Sequence, residues 1–82
     1  MSINREIAEP PWRQLYAILR AQIESGELTG RVPGEKHLMQ EYGLALATVR
    51  KATKLLRDEG WIVTVAGWGS YVSEDNPRTK PS

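Results

Sequence analysis

The chain has 82 residues, with 11 Lys and Arg against 10 Asp and Glu for a formal net charge of +1, and no cysteine. That length supports one modest core burying roughly 60–65% of the unfolded surface, without a disulfide brace, a thiolate zinc site or a thiol nucleophile. No apolar run reaches the roughly 18–20 residues of a membrane span, the near-neutral balance gives no polycationic or acidic-tail signal, and a single histidine leaves little from which to build a catalytic pocket.

Residues 1–9 are polar and charged around isolated Ile3 and Ile7 and are expected to form a flexible arm. Residues 74–82 have two prolines and no aliphatic side chain, and a flexible tail is expected there. The folded unit is then residues 10–73. Pro11 suits the first position of a helix, where its missing N–H costs nothing. Behind it Trp12, Leu15, Leu19 and Ile23 recur three and four apart, with Arg13, Arg20 and Glu24 on the other side. This pattern predicts an amphipathic helix ending near Ser25-Gly26. Leu28 packs back, and Gly30-Arg31-Val32-Pro33-Gly34 leaves room for a very short strand.

A second helix is predicted over Glu35–Tyr42, with Leu38 and Tyr42 as an i,i+4 apolar pair and Gly43 as its breaker. A third runs from Leu46 to Glu59, with Val49, Ala52, Thr53 and Leu56 on one face and Gly60 as its stop. Neither helix is well capped: Gly34 is a middling N-cap, and Ala45 forgoes about 0.5–2 kcal/mol against Ser, Thr or Asp. The period then changes to two. Trp61-Ile62-Val63-Thr64-Val65 reads as a strand, Gly67-Trp68-Gly69 as a hairpin tip and Ser70-Tyr71-Val72-Ser73 as the return strand. The fold class is mainly α with a small β-hairpin, in the order α-β-α-α-β-β, a winged helix-turn-helix. With no Phe, the core is expected to draw its aromatic bulk from Trp12, Tyr42, Trp61 and Tyr71.

Pro11-x-x-Gln14-Leu15, Ile23-x-x-Gly26-x-Leu28, Pro33-Gly34-Glu35-x-x-Leu38, Tyr42-Gly43-Leu44, Thr48-Val49-Arg50-x-Ala52, Glu59-Gly60-Trp61-Ile62 and Gly67-x-Gly69-Ser70-Tyr71-Val72 occur in this order. Together they resemble the DNA-binding domain of GntR-type transcriptional regulators over about residues 10–73. The resemblance implies a third helix in the major groove and a wing near the minor groove. It also implies DNA contacts at Glu35 and Lys36, at Ala45, Leu46, Ala47, Thr48 and Arg50, and at Gly67. The chain departs from the family pattern at two of these places. Ala45-Leu46-Ala47-Thr48 stands where Ser-Arg-x-Thr is usual, and Trp68 replaces the wing's usual basic residue.

Between residues 46 and 57 there are four basic side chains and no acid. Arg50 can fork onto guanine O6/N7 or bridge phosphate oxygens, while Lys51 and Lys54 act as phosphate point charges or as part of a solvated face. Arg57, beside Asp58 and Glu59, reads as structural. Leu46 either meets a thymine methyl or turns inward. The Thr48 hydroxyl serves a phosphate or base, or else caps its own helix. Lys36 suits a phosphate at a helix start. Gly67 allows close backbone approach, and Trp68 at the tip is expected to make a contact with DNA sugars, a second protomer or another protein. His37 reads as a surface residue rather than a metal ligand.

The expected function is sequence-specific binding of double-stranded DNA by a cytoplasmic transcriptional regulator acting as a repressor, with helix 46–59 in the major groove and the wing at 67–69. No catalysis, cofactor, metal or membrane association is expected, and the 82 residues hold no small-molecule effector domain. A homodimer forming on DNA, or a protein partner held through Trp68, is the expected mode of assembly. The competing reading is an architectural or protein-interaction module in a recombination or other nucleoprotein complex.

Overall fold

A computed structural model describes residues 3–73, and the tail expected over residues 74–82 lies outside them. The elements are α1 (Pro11–Ser25), α2 (Glu35–Tyr42), α3 (Leu46–Asp58), β1 (Ile62–Val65) and β2 (Gly69–Val72). Each helix starts without a side-chain cap. In α1 the Pro10 carbonyl takes the first N–H bonds, from Arg13 at 3.0 Å and Gln14 at 3.2 Å. The C-termini are better served. Gly26 and Gly43 adopt left-handed φ of 83° and 66°, the conformation that turns the chain out of a helix at least cost in glycine.

Three helices pack around one core. Leu15, Leu19 and Ile23 of α1 meet Leu38 of α2, and Val49, Ala52 and Leu56 of α3 complete the centre. Trp61 and Ile62 close it from the hairpin side, and Val32 and Leu44 from the connections. With side-chain N-caps absent, this burial carries the helices, as tertiary packing usually does for helices this short.

Two aromatic assignments from the sequence need correction. Trp12 is half-buried outside the core, because the first turn of α1 overhangs the Lys51 side chain rather than a neighbouring apolar face. Tyr71 is also only half-buried: the antiparallel register pairs it with Val63, while Ile62 pairs with Val72 on the inward face. Period two therefore sends Tyr71 outward. The core's aromatic bulk comes from Trp61 and from Tyr16, with Tyr42 at its edge.

The short strand expected between α1 and α2 is a single bridge, Arg31 to Tyr71. Val32 N–H donates to Ser70 O at 2.9 Å and Val72 N–H to Gly30 O at 2.7 Å, which pins the linker alongside β2. At the tip, Trp68 N–H donates to Val65 O at 3.0 Å. Gly67, at the third position of that four-residue turn, has φ 80°, the geometry for which a type II turn needs glycine.

The segment before α1 folds back from Ile3, which packs against the core. Gln14 holds it. Its Oε1 accepts from Asn4 N–H at 2.7 Å, and its Nε2 donates to Asn4 O at 2.7 Å and Glu9 O at 2.8 Å. Gln14 is the one buried polar residue among those described, and these bonds satisfy it.

Candidate nucleic-acid interface

The start of α2 and the first turns of α3 share one face. The Arg50 Nε–H donates to Glu35 Oε2 at 2.8 Å across the helix-turn-helix, and both side chains are well exposed. Lys36 is exposed beside them. Ala45 and Ala47 are exposed, while Leu46 and Thr48 are half-buried. Leu46 is not packed against the core cluster. The α3 entrance is thus an open, small and mostly apolar surface, with Arg50 and Lys36 beside it and the Arg5 guanidinium donating to Gly43 O at 2.7 Å in the turn before it.

The two lysines of α3 are held by neighbours. Lys51 Nζ sits 4.7 Å from the centroid of the Trp12 ring, within the range of a cation–π contact. Lys54 Nζ lies 2.7 Å from Asp58 Oδ2, one helical turn on. Arg57 Nη1 donates to Thr64 Oγ1 at 3.1 Å, tying α3 to β1. His37 is exposed, with Nε2 at 3.8 Å from Glu41 Oε2. No group of three or more acidic or histidine side chains suited to a metal ion occurs among the described residues.

Beside this face stands the wing. Trp68 at its tip is 70% exposed, the most open large apolar side chain described. Val63 and Val65 add to its apolar outer surface. The Tyr71 hydroxyl reaches the Trp68 carbonyl at 3.4 Å. Between the wing root and the helices runs a cleft of about 330 Å³, bordered by Arg31, Glu35, Thr53, Arg57, Thr64 and Ser70.

Arg31 escaped the sequence reading of this surface, and Arg57 has a placement the sequence did not bring out. Arg31 lies in the linker, away from any basic run, and only the bridge to Tyr71 brings it to the wing. Arg57 follows Arg50 by seven residues, a spacing that keeps both on one helical stripe. Beside its acidic neighbours it reads as structural, and its bond to Thr64 fits that reading. In the fold they turn away: Asp58 goes to Lys54, and Glu59 accepts a hydrogen bond from the Tyr16 hydroxyl. Burial, then that bond to Glu59, pushes the Tyr16 phenol above its ordinary value of 10.0.

Comparison with known proteins places this geometry. Residues 11–72 match the family described as bacterial regulatory proteins, gntR family. An HTH-type transcriptional regulator of Mycobacterium tuberculosis is 39% identical over 67 residues, covering 79% of this chain and 25% of that protein. The HTH-type transcriptional repressor NagR of Bacillus subtilis is 33% identical over 76 residues, covering 90% of this chain and 31% of the repressor. The chain therefore spans about a quarter to a third of the length of these relatives. Among solved structures, AraR(DBD) in complex with operator ORE1 superposes with a TM-score of 0.76 at 30% identity, covering 87% of this chain and 89% of that one. With the three-helix core, the hairpin and the ordered motifs all in place, the chain belongs to the GntR family of bacterial regulatory proteins.

Proposed function

We propose that the protein binds double-stranded DNA sequence-specifically and regulates transcription, acting as a repressor by occupying an operator. The α3 helix enters the major groove and the wing tip at 67–69 approaches the minor groove or the backbone. The observation that carries this reading is the juxtaposition of Arg50, Glu35 and the open α3 entrance on one face beside the wing. It is supported by the likeness to a DNA-binding domain solved on its operator. Arg50 is the base-reading or phosphate-bridging side chain. Glu35 holds its guanidinium extended over the groove-facing end of α3, and Lys36 adds a phosphate contact at the start of α2. Ala45, Leu46, Ala47 and Thr48 line the closest approach to base edges, with Leu46 suited to a thymine methyl. Lys51 and Lys54 contribute charge from the helix flank. The DNA-binding unit is residues 10–73, and neither catalysis nor a cofactor enters this scheme.

A gel-shift titration over a range of salt concentrations tests it, using a duplex selected from a random pool and a scrambled control. Sequence-selective binding with a slope of about three to six phosphates is expected. Weak binding indistinguishable between the duplexes would refute the regulator. A second reading draws on the 70% exposure of Trp68: the wing tip docks a protein partner or a second protomer on DNA. Under it, Trp68→Ala abolishes assembly while monomer affinity for a half-site is retained. If Trp68→Ala weakens half-site binding and leaves assembly intact, the tryptophan belongs to the DNA contact alone.

A further inference from the structure

The cleft at the wing root has a composition that the groove-facing end of α3 does not. Arg57 projects into it from α3 and Arg31 from the linker that bridges β2, and Thr53, Thr64 and Ser70 supply hydroxyls around them. The three hydroxyls are held in place. Thr53 Oγ1 donates back to Val49 O at 3.2 Å, and Thr64 and Ser70 share a hydrogen bond at 3.1 Å while Thr64 receives Arg57. Arg31 lies across the start of β2, where an added Cβ on Gly69 would come within 3.3 Å of its Nη2. Gly69 itself has φ 107°, so it is the backbone there that favours glycine, and the guanidinium rests in ordinary close contact with it.

Neither arginine makes a salt bridge with a described residue. The one acid on the cleft rim, Glu35, is engaged by Arg50 at 2.8 Å. Asp58 and Glu59 are committed to Lys54 and Tyr16. Two guanidinium groups offer ten N–H donors between them, of which a single bond to Thr64 is described. The Thr53 O–H is spent on the backbone of its own helix and the Thr64–Ser70 pair keeps one O–H free, so the planar guanidinium forks are the main donors, and they match a tetrahedral oxyanion better than a neutral ligand. The cleft also continues the reading face: Arg57 is seven residues past Arg50, on the same stripe and about 10 Å further along the axis.

We propose that Arg31 and Arg57 clamp a phosphate group in this cleft, and that in the working complex it is a backbone phosphodiester of the duplex read by α3. The clamp rests on the DNA-binding reading above and adds to it a register device: it holds the strand between α3 and the wing and carries no sequence information itself.

The test compares wild type, Arg31→Gln/Arg57→Gln and Arg31→Lys/Arg57→Lys on the selected and scrambled duplexes across salt. Loss of the clamp in the Gln pair lowers the salt slope by about 0.9 per phosphate contact. Affinity falls by the same factor on both duplexes, so selectivity is kept. The Lys pair keeps the slope and remains informative if the Gln pair folds poorly. An unchanged slope in a folded Gln pair overturns the proposal. A parallel titration of the DNA-free protein with inorganic phosphate, followed at the Gly69 and Ser70 amides by NMR, separates the two sources of phosphate. Saturable shifts together with an unchanged DNA slope assign the cleft to a free anion and overturn the duplex assignment. If wild type binds no duplex at all, the function proposed above fails and the phosphate titration alone judges the clamp. Shifts lost in the Gln pair then support a phosphate site, and no shift overturns it.

Discussion

Removing Arg50 is expected to separate DNA recognition from stability. The side chain is 62% exposed and its partner Glu35 46% exposed, so the pair contributes at most about 1 kcal/mol to folding. The same small figure is the cost of releasing Arg50 from Glu35 when it turns to a base. A bidentate arginine–guanine contact discriminates by about 1–3 kcal/mol, so the exchange favours DNA. Arg50→Ala should therefore weaken binding to a selected duplex by about 5- to 150-fold and flatten the preference over a scrambled one. Its thermal midpoint should stay close to wild type. His37→Ala is the control, since His37 lies exposed on α2 with only a 3.8 Å approach to Glu41. Fluorescence anisotropy at fixed salt, with melting curves on the same samples, reads both quantities. Equal and small losses for the two variants, or a loss in Arg50→Ala that tracks unfolding, would refute the placement of α3 in the groove.

Three further outcomes are expected. Gln14→Ala removes three bonds that hold the segment before α1, and should cost about 1–3 kcal/mol in urea unfolding; an unchanged midpoint would mean the segment adds nothing to stability. Ala45→Ser places a cap on a residue already at φ −73° and ψ 157° with no cap bond, so a gain of about 0.5–2 kcal/mol should appear in the same assay. Tyr16 is more basic folded than unfolded, because burial and then Glu59 raise it above 10.0. Its contribution is therefore complete below pH 10 and lost as pH rises through the folded value. Tyr16→Phe should lose less stability than wild type between pH 9 and 11, and parallel curves would exclude the coupling.

The helices were legible because their signals are local. A three-and-four apolar spacing identifies α1 without any tertiary information, Gly43 and Gly60 mark two ends, and the change to period two marks β1 and β2. The placement of Arg50 was legible for a similar reason, since helix-turn-helix spacing puts it on an exposed turn of α3 beside the start of α2. The misjudged residues depend on which neighbour arrives from elsewhere. Trp12 has the spacing of a core residue but meets Lys51. Tyr71 has the composition of one but takes the outer face through its register with Val63. Gln14 is part of a family motif in the sequence, but what its amide binds is set only when Asn4 and Glu9 close on it.

What the sequence determined by itself was the order and kind of elements, and with them the family. Those follow from backbone geometry, in which residues three, four or two apart share a face whatever else the chain does. What only the tertiary structure decided was how charges are shared. Net charge of +1 conceals it: acids at 35, 58 and 59 are taken up by Arg50, Lys54 and Tyr16, while Arg31 and Arg57, 26 positions apart in the chain, face one cleft. The Lys54–Asp58 pair follows from i,i+4 helix spacing, but the Arg50–Glu35, Tyr16–Glu59 and Arg31–Arg57 placements depend on distances of a few ångströms between elements, and only the packed fold sets those distances.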